Sequence, residues 1–279
     1  RSIRERNPAT RVILVTGHGD VSTASQALRA RADDYILKPF QVSEVTESVE
    51  RALRRRQALE QRITMQKELE RQVSRLQDEV KKQFSGGVAA LATALEARDP
   101  YTKGHSMNVA AMSLHLAKGM GWDQQMCDEI AVGALLHDIG KIAVPDEILR
   151  KEGALSSEEF GKIKQHARAG HEILLPLFGQ GPIAQCALYH HERWDGQGYP
   201  EGIAGNKCPL AARTIALCDA YEAMTSERPY RHGLPESKAI SEIRANRGRQ
   251  FDPDVADLFI ATRPDLALPD RTTHTPSPL

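Results

Sequence analysis

The chain has 279 residues, enough to bury a sizeable core and to hold more than one domain. Its 37 basic and 37 acidic side chains cancel, which removes any global electrostatic case for binding a nucleic-acid polymer or an anionic membrane. No apolar run is long enough to span a bilayer, no secretory signal is present, and the chain opens on Arg1, as an internal start within a longer protein would. Cys127, Cys186, Cys208 and Cys218 are scattered without a CxxC and read as buried thiols of a reducing, cytoplasmic compartment.

Residues 1–43 read as α/β. Arg11 to Val15 is a short apolar strand and Asp34 to Leu37 another, with helical spacing from Val21 to Arg31 between them. Pro39 closes the second strand because it removes a ladder donor. Two strands and a helix are too few to close a doubly wound sheet. The stretch resembles the C-terminal half of a bacterial response-regulator receiver domain. That resemblance makes Thr16 the switch hydroxyl, Tyr35 the switch aromatic and Lys38 the lysine before proline. The acidic pair and phosphoacceptor aspartate of that family belong to its first half, which is expected to be missing. Asp33 and Asp34 lie at the wrong strand to replace them.

Residues 44–84 form the second segment, a charged connector within one long helix predicted from residue 42. No Gly or Pro falls between Gln41 and Phe84. Leu69, Val73, Leu76 and Val80 step four, three, four, as an a/d seam does, while Gln66 and Arg62 interrupt the pattern before Leu59. Two readings follow: a solvated connector, or a parallel coiled coil that pairs the chain into a homodimer and transmits a signal. Gly86-Gly87 is expected to break the helix.

Residues 85–265 read as all-helical, so the fold class is mostly α. Val88–Arg98, Ser106–Met120, Gln124–Leu136 and Pro209–Thr225 carry apolar residues at three- and four-residue spacing. Ser156 followed by Glu159 signals a capped helix running through Ala169. Pro235–Ala245 and Pro253–Ala261 each begin near a proline. Residues 266–279, rich in Pro and Thr, are expected to be disordered.

His105, His137, His166, His190 and His191 all fall near helix ends or glycine turns. Asp138 and Asp219 sit in the apolar contexts LLHDIG and IALCDAY, where a carboxylate is costly unless paired or metal-bound. Imidazole with carboxylate is the ligand set of divalent transition metals. The separate His137-Asp138 and His190-His191 pairs, the latter followed by Glu192 and Asp195, suggest more than one ion. From the residues alone, plainer readings stay open. These are satisfied core or surface histidines, a helix-terminal turn at Asp138, and a buried ion pair of Asp219 with Arg213.

The longer motifs narrow this. ALEARDPYTKGHS (94–106), LLHDIGKIAVPDEIL (135–149), HHERWDGQGYPEG (190–202), PLAARTIALCDAYEAMTSERPYR (209–231) and FDP (251–253) resemble the HD-GYP domain, a bacterial branch of the HD phosphohydrolases. The resemblance spans residues 94–265 and implies hydrolysis of cyclic di-GMP to pGpG or GMP, with iron or manganese as the bound metals. The implied ligands are His105, His137, Asp138, His166, His190, His191 and Asp219, with Asp138 bridging. Lys141 is implied to act on a phosphate oxygen or the leaving 3′-oxygen, and Arg228 and Arg231 to hold phosphate or guanine. Gly196, Gly198, Tyr199 and Pro200 form the signature loop, a wall of the site and a surface for signalling partners, its glycines allowing tight turns.

Three positions depart from the family pattern: Ala167 stands where proline is usual, Cys208 where a β-branched residue is usual, and Glu222 where aspartate is usual. Glu222 is expected to make a supporting or substrate contact on a longer arm. Tyr101 stands four residues before His105, where members with three metals carry glutamate. A neutral phenol is a poor ligand, so two ions are expected unless another carboxylate, such as Glu192, completes a third site. The competing functions are phosphohydrolysis of another cyclic dinucleotide and a catalytically weak binding scaffold.

Overall fold

The computed structural model describes residues 9–17, 32–99, 104–227 and 232–263. The predicted helix Val21–Arg31, the tail 266–279, Tyr101, Arg228 and Arg231 lie outside the described residues. The chain divides into two compact units, Arg1–Lys82 and Gln83–Leu279.

In the first unit, strands β1 (Ile13–Thr16) and β2 (Asp34–Leu37) pair in parallel, with Ile13 opposite Asp34 and Thr16 opposite Leu37. Two aspartates tie this pair down. Asp33 accepts the Val12 N–H at 2.8 Å and pairs with Arg11 at 3.2 Å. Asp34 accepts from Ser48 Oγ at 2.8 Å and from Arg51 at 2.7 Å.

Helix α1 runs from Val42 to Arg98 without a break at Gly86-Gly87, contrary to the sequence expectation. Two glycines cost a helix roughly 2 kcal/mol. Packing on both sides of the pair offsets this. Phe84 meets the edge of Phe178 with ring centroids 6.0 Å apart, and Val88, Ala92 and Leu95 are buried. The seam residues Leu69, Val73, Leu76 and Val80 are 46–64 % exposed.

The second unit adds α2 (His105–Gly119), α3 (Gln124–Leu136), a 3₁₀ helix at Ile139–Ala143, α4 (Asp146–Leu149), α5 (Ser157–Lys164), α6 (His166–Phe178), α7 (Pro182–Tyr189), α8 (Leu210–Thr225), α9 (Glu236–Ala245) and α10 (Pro253–Thr262). The main core gathers Met112, Leu116, Ile130, Ile215, Leu217 and Phe259 from α2, α3, α8 and α10. A smaller cluster of Val88, Leu136, Ile139, Leu174, Ile183, Ala184 and Ala187 lies where α1, α3, α6 and α7 meet. No helix among the described residues is long and apolar enough to cross a membrane.

The capping box of Ser156 and Glu159 forms as read, but its helix stops at Lys164 rather than reaching Ala169. His166 Nδ1 donates to the Ile163 carbonyl at 2.6 Å, taking an acceptor that a continuous helix would use for a backbone N–H. Helix α7, which delivers the His-His pair, was missed by periodicity, although Pro182 marks its first turn. All four cysteines are buried and free.

Candidate metal centre

Three helices end near one place, and a histidine stands at or just beyond each end. His137 caps α3, His190 caps α7, and His166 opens α6 two residues after α5. Each directs Nδ1 at a carbonyl of the preceding helix: Ala134 at 2.6 Å, Ile163 at 2.6 Å, and Ala187 and Cys186 at 3.0 and 3.1 Å. Those bonds require the proton on Nδ1, so Nε2 of each neutral ring is a lone pair.

The three lone pairs converge. Nε2 of His166 lies 3.3 Å from Nε2 of His190, and Nε2 of His137 is buried with no hydrogen-bond partner. Facing lone pairs repel, and a buried acceptor without a donor is costly. A bound cation would resolve both. Burial holds His166 down at about 4, and burial with the neighbouring His190 holds His191 well below its ordinary value. Both rings are therefore neutral and able to bind metal at pH 7.

Asp138 stands between these rings. Its Oδ1 lies 3.4 Å from His166 Nε2 and 3.7 Å from His190 Nε2, whereas Oδ2 lies 3.4 Å from His137 Nε2. Potential ligand atoms form two groups, Asp138–His166–His190–His191 and His105–His137–Asp138, each within 4.8 Å and sharing only Asp138. Burial favours a neutral Asp138, but Lys141 and His137 outweigh it and keep the carboxyl well below its usual range. Lys141 Nζ lies 2.7 Å from Asp138 Oδ2 and 3.5 Å from Asp99 Oδ2. Burial opposes the Lys141 charge, yet these two carboxylates raise its pKa and keep it an ammonium ion.

His105 opens α2 and lies between two acids. Nδ1 is 2.6 Å from Glu222 Oε2 and Nε2 is 3.2 Å from Asp219 Oδ1. Burial disfavours its charge, but hydrogen bonds to Asp219 and Glu222 lift it to about 10. His105 Nε2 and Asp219 Oδ1 thus face each other, as a metal-binding imidazole and carboxylate would. Glu222 lies behind the ring, held also by Asn108 Nδ2 at 3.2 Å and Ser226 Oγ at 2.6 Å. Burial raises its pKa, while His105 holds it down at about 2. Glu96 sets the entry to α2, accepting the Gly104 N–H at 2.8 Å and the Ser106 N–H at 3.0 Å. Arg213 pairs with Asp252 rather than with Asp219.

Two glycines let backbones meet. A Cβ on Gly140 would lie 1.9 Å from the His166 carbonyl and 2.4 Å from Gly170 N, so the segment after Asp138 closes directly onto α6. A Cβ on Gly198 would lie 2.5 Å from Arg193 N and Glu192 Cα. Close approach rather than a tight turn explains Gly198, whereas Gly196 has φ +75° and does require glycine.

The signature loop is folded by its own acids. Glu192 Oε1 accepts the Glu201 and Gly202 N–H groups at 2.7 and 3.0 Å. Asp195 takes the Arg193 guanidinium at 3.0 and 2.8 Å and the Gln197 N–H at 3.1 Å. Tyr199 stacks on His191 with centroids 4.7 Å apart, and burial pushes its phenol pKa up. A cavity of about 320 Å³ opens between this loop, Lys164, His190, His191 and Asp219.

The seven expected ligands thus gather in one place. The donor set fits divalent transition ions: imidazoles and buried carboxylates, with the His137 Nε2 orphaned. Asp99, Asn108, Glu96 and Arg98 also serve the site without having been singled out from sequence. Their roles arise from contacts with distant segments, which periodicity does not reveal.

Residues 89–255 match the HD domain family, and residues 1–50 match the response regulator receiver domain. A Thermotoga maritima protein named cyclic di-GMP phosphodiesterase is 34% identical over 275 residues, 95% of this chain and 74% of that one. The Xanthomonas campestris cyclic di-GMP phosphodiesterase response regulator RpfG is 34% identical over 259 residues, 91% of this chain and 68% of its own. Among solved structures, a Vibrio cholerae cyclic GMP-AMP-specific phosphodiesterase aligns with TM-score 0.50 at 16% identity, over 64% of this chain and 50% of that one, a likeness of fold alone. With a family match over most of the second unit and relatives this similar along nearly its whole length, the chain belongs to the HD domain family and carries receiver-domain sequence ahead of it.

Proposed function

We propose that this chain is a metal-dependent phosphodiesterase that hydrolyses cyclic di-GMP to pGpG or GMP, as the output of a two-component-type regulator. The observation that carries the reading is Asp138, one carboxylate shared by two groups of ligand atoms. Relatives named cyclic di-GMP phosphodiesterases support the substrate. Related proteins named 3′3′-cGAMP-specific phosphodiesterases make that dinucleotide the competing substrate.

Bound divalent ions supply a nucleophilic water at neutral pH and neutralise phosphate charge. The chain's own residues do the rest. Asp138 directs one oxygen to each ligand group and so fixes their spacing. His166, His190 and His191 present ring nitrogens to one group and His137 and His105 to the other, with Asp219 beside His105. Lys141, held charged by Asp138 and Asp99, stabilises negative charge on a phosphate oxygen or the departing 3′-oxygen. Glu222, bonded to His105, keeps that ring in register. Arg228 and Arg231 are assigned to phosphate or guanine, where a planar fork suits multidentate contacts.

We assign two ions, iron or manganese. Glu192, the alternative donor for a third, has Oε1 on two backbone N–H groups and is in neither ligand group, although its buried Oε2 has no hydrogen-bond partner. Metal analysis after anaerobic reconstitution checks the number, and a reproducible value near three overturns it. The exposed seam of Leu69, Val73, Leu76 and Val80 supports a homodimer paired through α1. The loop around Gly198, Tyr199 and Pro200 is the proposed surface for signalling partners. Buried free thiols support a cytoplasmic location.

The deciding experiment incubates the reconstituted protein with cyclic di-GMP and, separately, 3′3′-cGAMP, and resolves products by chromatography. Metal-dependent formation of pGpG or GMP supports the proposal. Faster loss of 3′3′-cGAMP transfers the activity to that substrate. Binding without turnover of either favours a scaffold.

A further inference from the structure

Arg98 is the last residue of α1, and its guanidinium lies against the segment that carries Lys141. Nη1 donates to the Ile142 carbonyl at 2.5 Å and the Lys141 carbonyl at 3.4 Å, and Nη2 to the Val144 carbonyl at 2.8 Å. Nε meets Asp146 Oδ1 at 2.8 Å. Arg150 Nε in turn donates to the Arg98 carbonyl at 3.0 Å. The next residue, Asp99, reaches the Lys141 ammonium at 3.5 Å. Consecutive residues of one helix end therefore grip both the backbone and the side chain of Lys141.

The gripped segment needs support. Ile139–Ala143 is a five-residue 3₁₀ helix, a form with poorer hydrogen-bond geometry that is seldom longer. Of its last carbonyls, that of Lys141 accepts the Val144 N–H at 3.0 Å, and Arg98 adds donors to the Lys141, Ile142 and Val144 carbonyls. A planar guanidinium with several fixed donors serves three such carbonyls at once, and a lysine ammonium does not. The same five residues also include Gly140, seated on α6.

We propose that Arg98 is a positioning residue for Lys141. By joining the end of α1 to the 3₁₀ helix it fixes the distance from the ammonium ion to Asp138, and hence where that charge meets substrate. The proposal rests on the role given to Lys141 in the proposed function, but not on the identity of the dinucleotide.

The test uses the full chain, reconstituted with Mn(II), and the variants Arg98→Gln, Arg98→Lys, Lys141→Met and Arg98→Gln/Lys141→Met. Turnover is measured with bis(p-nitrophenyl) phosphate as well as cyclic di-GMP, and amide hydrogen exchange is followed in all variants. We expect Arg98→Gln to reduce turnover about tenfold or more, the scale of losing a supporting contact. Arg98→Lys is expected to restore little of it. The double variant should match Lys141→Met within about twofold, because residues acting as one unit are not additive. Exchange should accelerate at residues 139–144 and not in α2 or α8. Multiplicative losses in the double variant, no loss on Lys141→Met, or unchanged exchange at 139–144 would each overturn the proposal. So would global unfolding of both Arg98 variants, which would make the residue structural only. Cleavage of the nitrophenyl diester without cyclic di-GMP turnover would refute the substrate reading alone, leaving Arg98 to be judged on the cycle and the exchange.

Discussion

Asp138 faces two ways: Oδ1 lies 3.4 Å from His166 Nε2, and Oδ2 lies 3.4 Å from His137 Nε2. The two rings belong to different ligand groups, so a single carboxylate sets the distance between them.

Asp138→Asn keeps the shape of this link and removes its charge. An amide offers one oxygen and one N–H pair, so one of the two groups faces a donor. Turnover should fall on the order of a thousandfold, as expected when electrostatic stabilisation of a phosphoryl centre is lost. Circular dichroism should change little. Bound metal, counted after gel filtration, should drop by at least one ion per chain. Near-normal turnover would refute a shared carboxylate.

Gly140→Ala tests the contact between the 3₁₀ helix and α6. The added methyl would lie 1.9 Å from the His166 carbonyl, backbone that has nowhere to move. We expect destabilisation of about 3 kcal/mol or more, the scale of severe overpacking, which lowers Tm by roughly 6–12 °C. Thermal denaturation checks it. A Tm within two or three degrees of the parent would mean that the two backbones separate easily.

Glu222→Gln tests support of His105. The amide no longer provides the second negative charge beside the ring, although it keeps the size of the side chain. Metal affinity should fall about 10- to 100-fold, in line with losing an outer-sphere carboxylate on a ligating histidine. Competition against a fluorescent chelator measures this. Glu222→Asp should give the smaller change, and equal effects from both variants would show that length rather than charge matters.

Leu69→Asp with Leu76→Asp tests the seam. In a paired helix these buried charges should disrupt association, and in a solvated helix they should change nothing. Analytical ultracentrifugation should find a dimer for the parent and a monomer for the variant. A monomeric parent, or a variant that still dimerises, would remove α1 from the interface.

The helical architecture was legible because it leaves local marks, while the expected ligand set came only from the resemblance of the longer motifs. Apolar spacing located Gln124–Leu136 to the residue, and Ser156 with Glu159 announced a cap. The expected break at Gly86-Gly87 did not occur, because Phe84 and Val88 are anchored by partners far away in sequence. Helix α5 ended early for the converse reason: a side chain, His166, displaced a backbone donor. Arg213 found Asp252 and left Asp219 to His105, a choice between partners that depends on packing and not on spacing. Glu192 and Asp195, beside the His-His pair, fold the loop through Oε1 and through Arg193, contacts that spacing does not reveal.

The bonds from His137, His166 and His190 to helix-terminal carbonyls have one more consequence. The rings take their orientation from secondary structure, so the Nε2 atoms are set in place by the fold itself rather than by a bound ion. Which divalent ion such a site takes would then depend on supply as well as on its ligands.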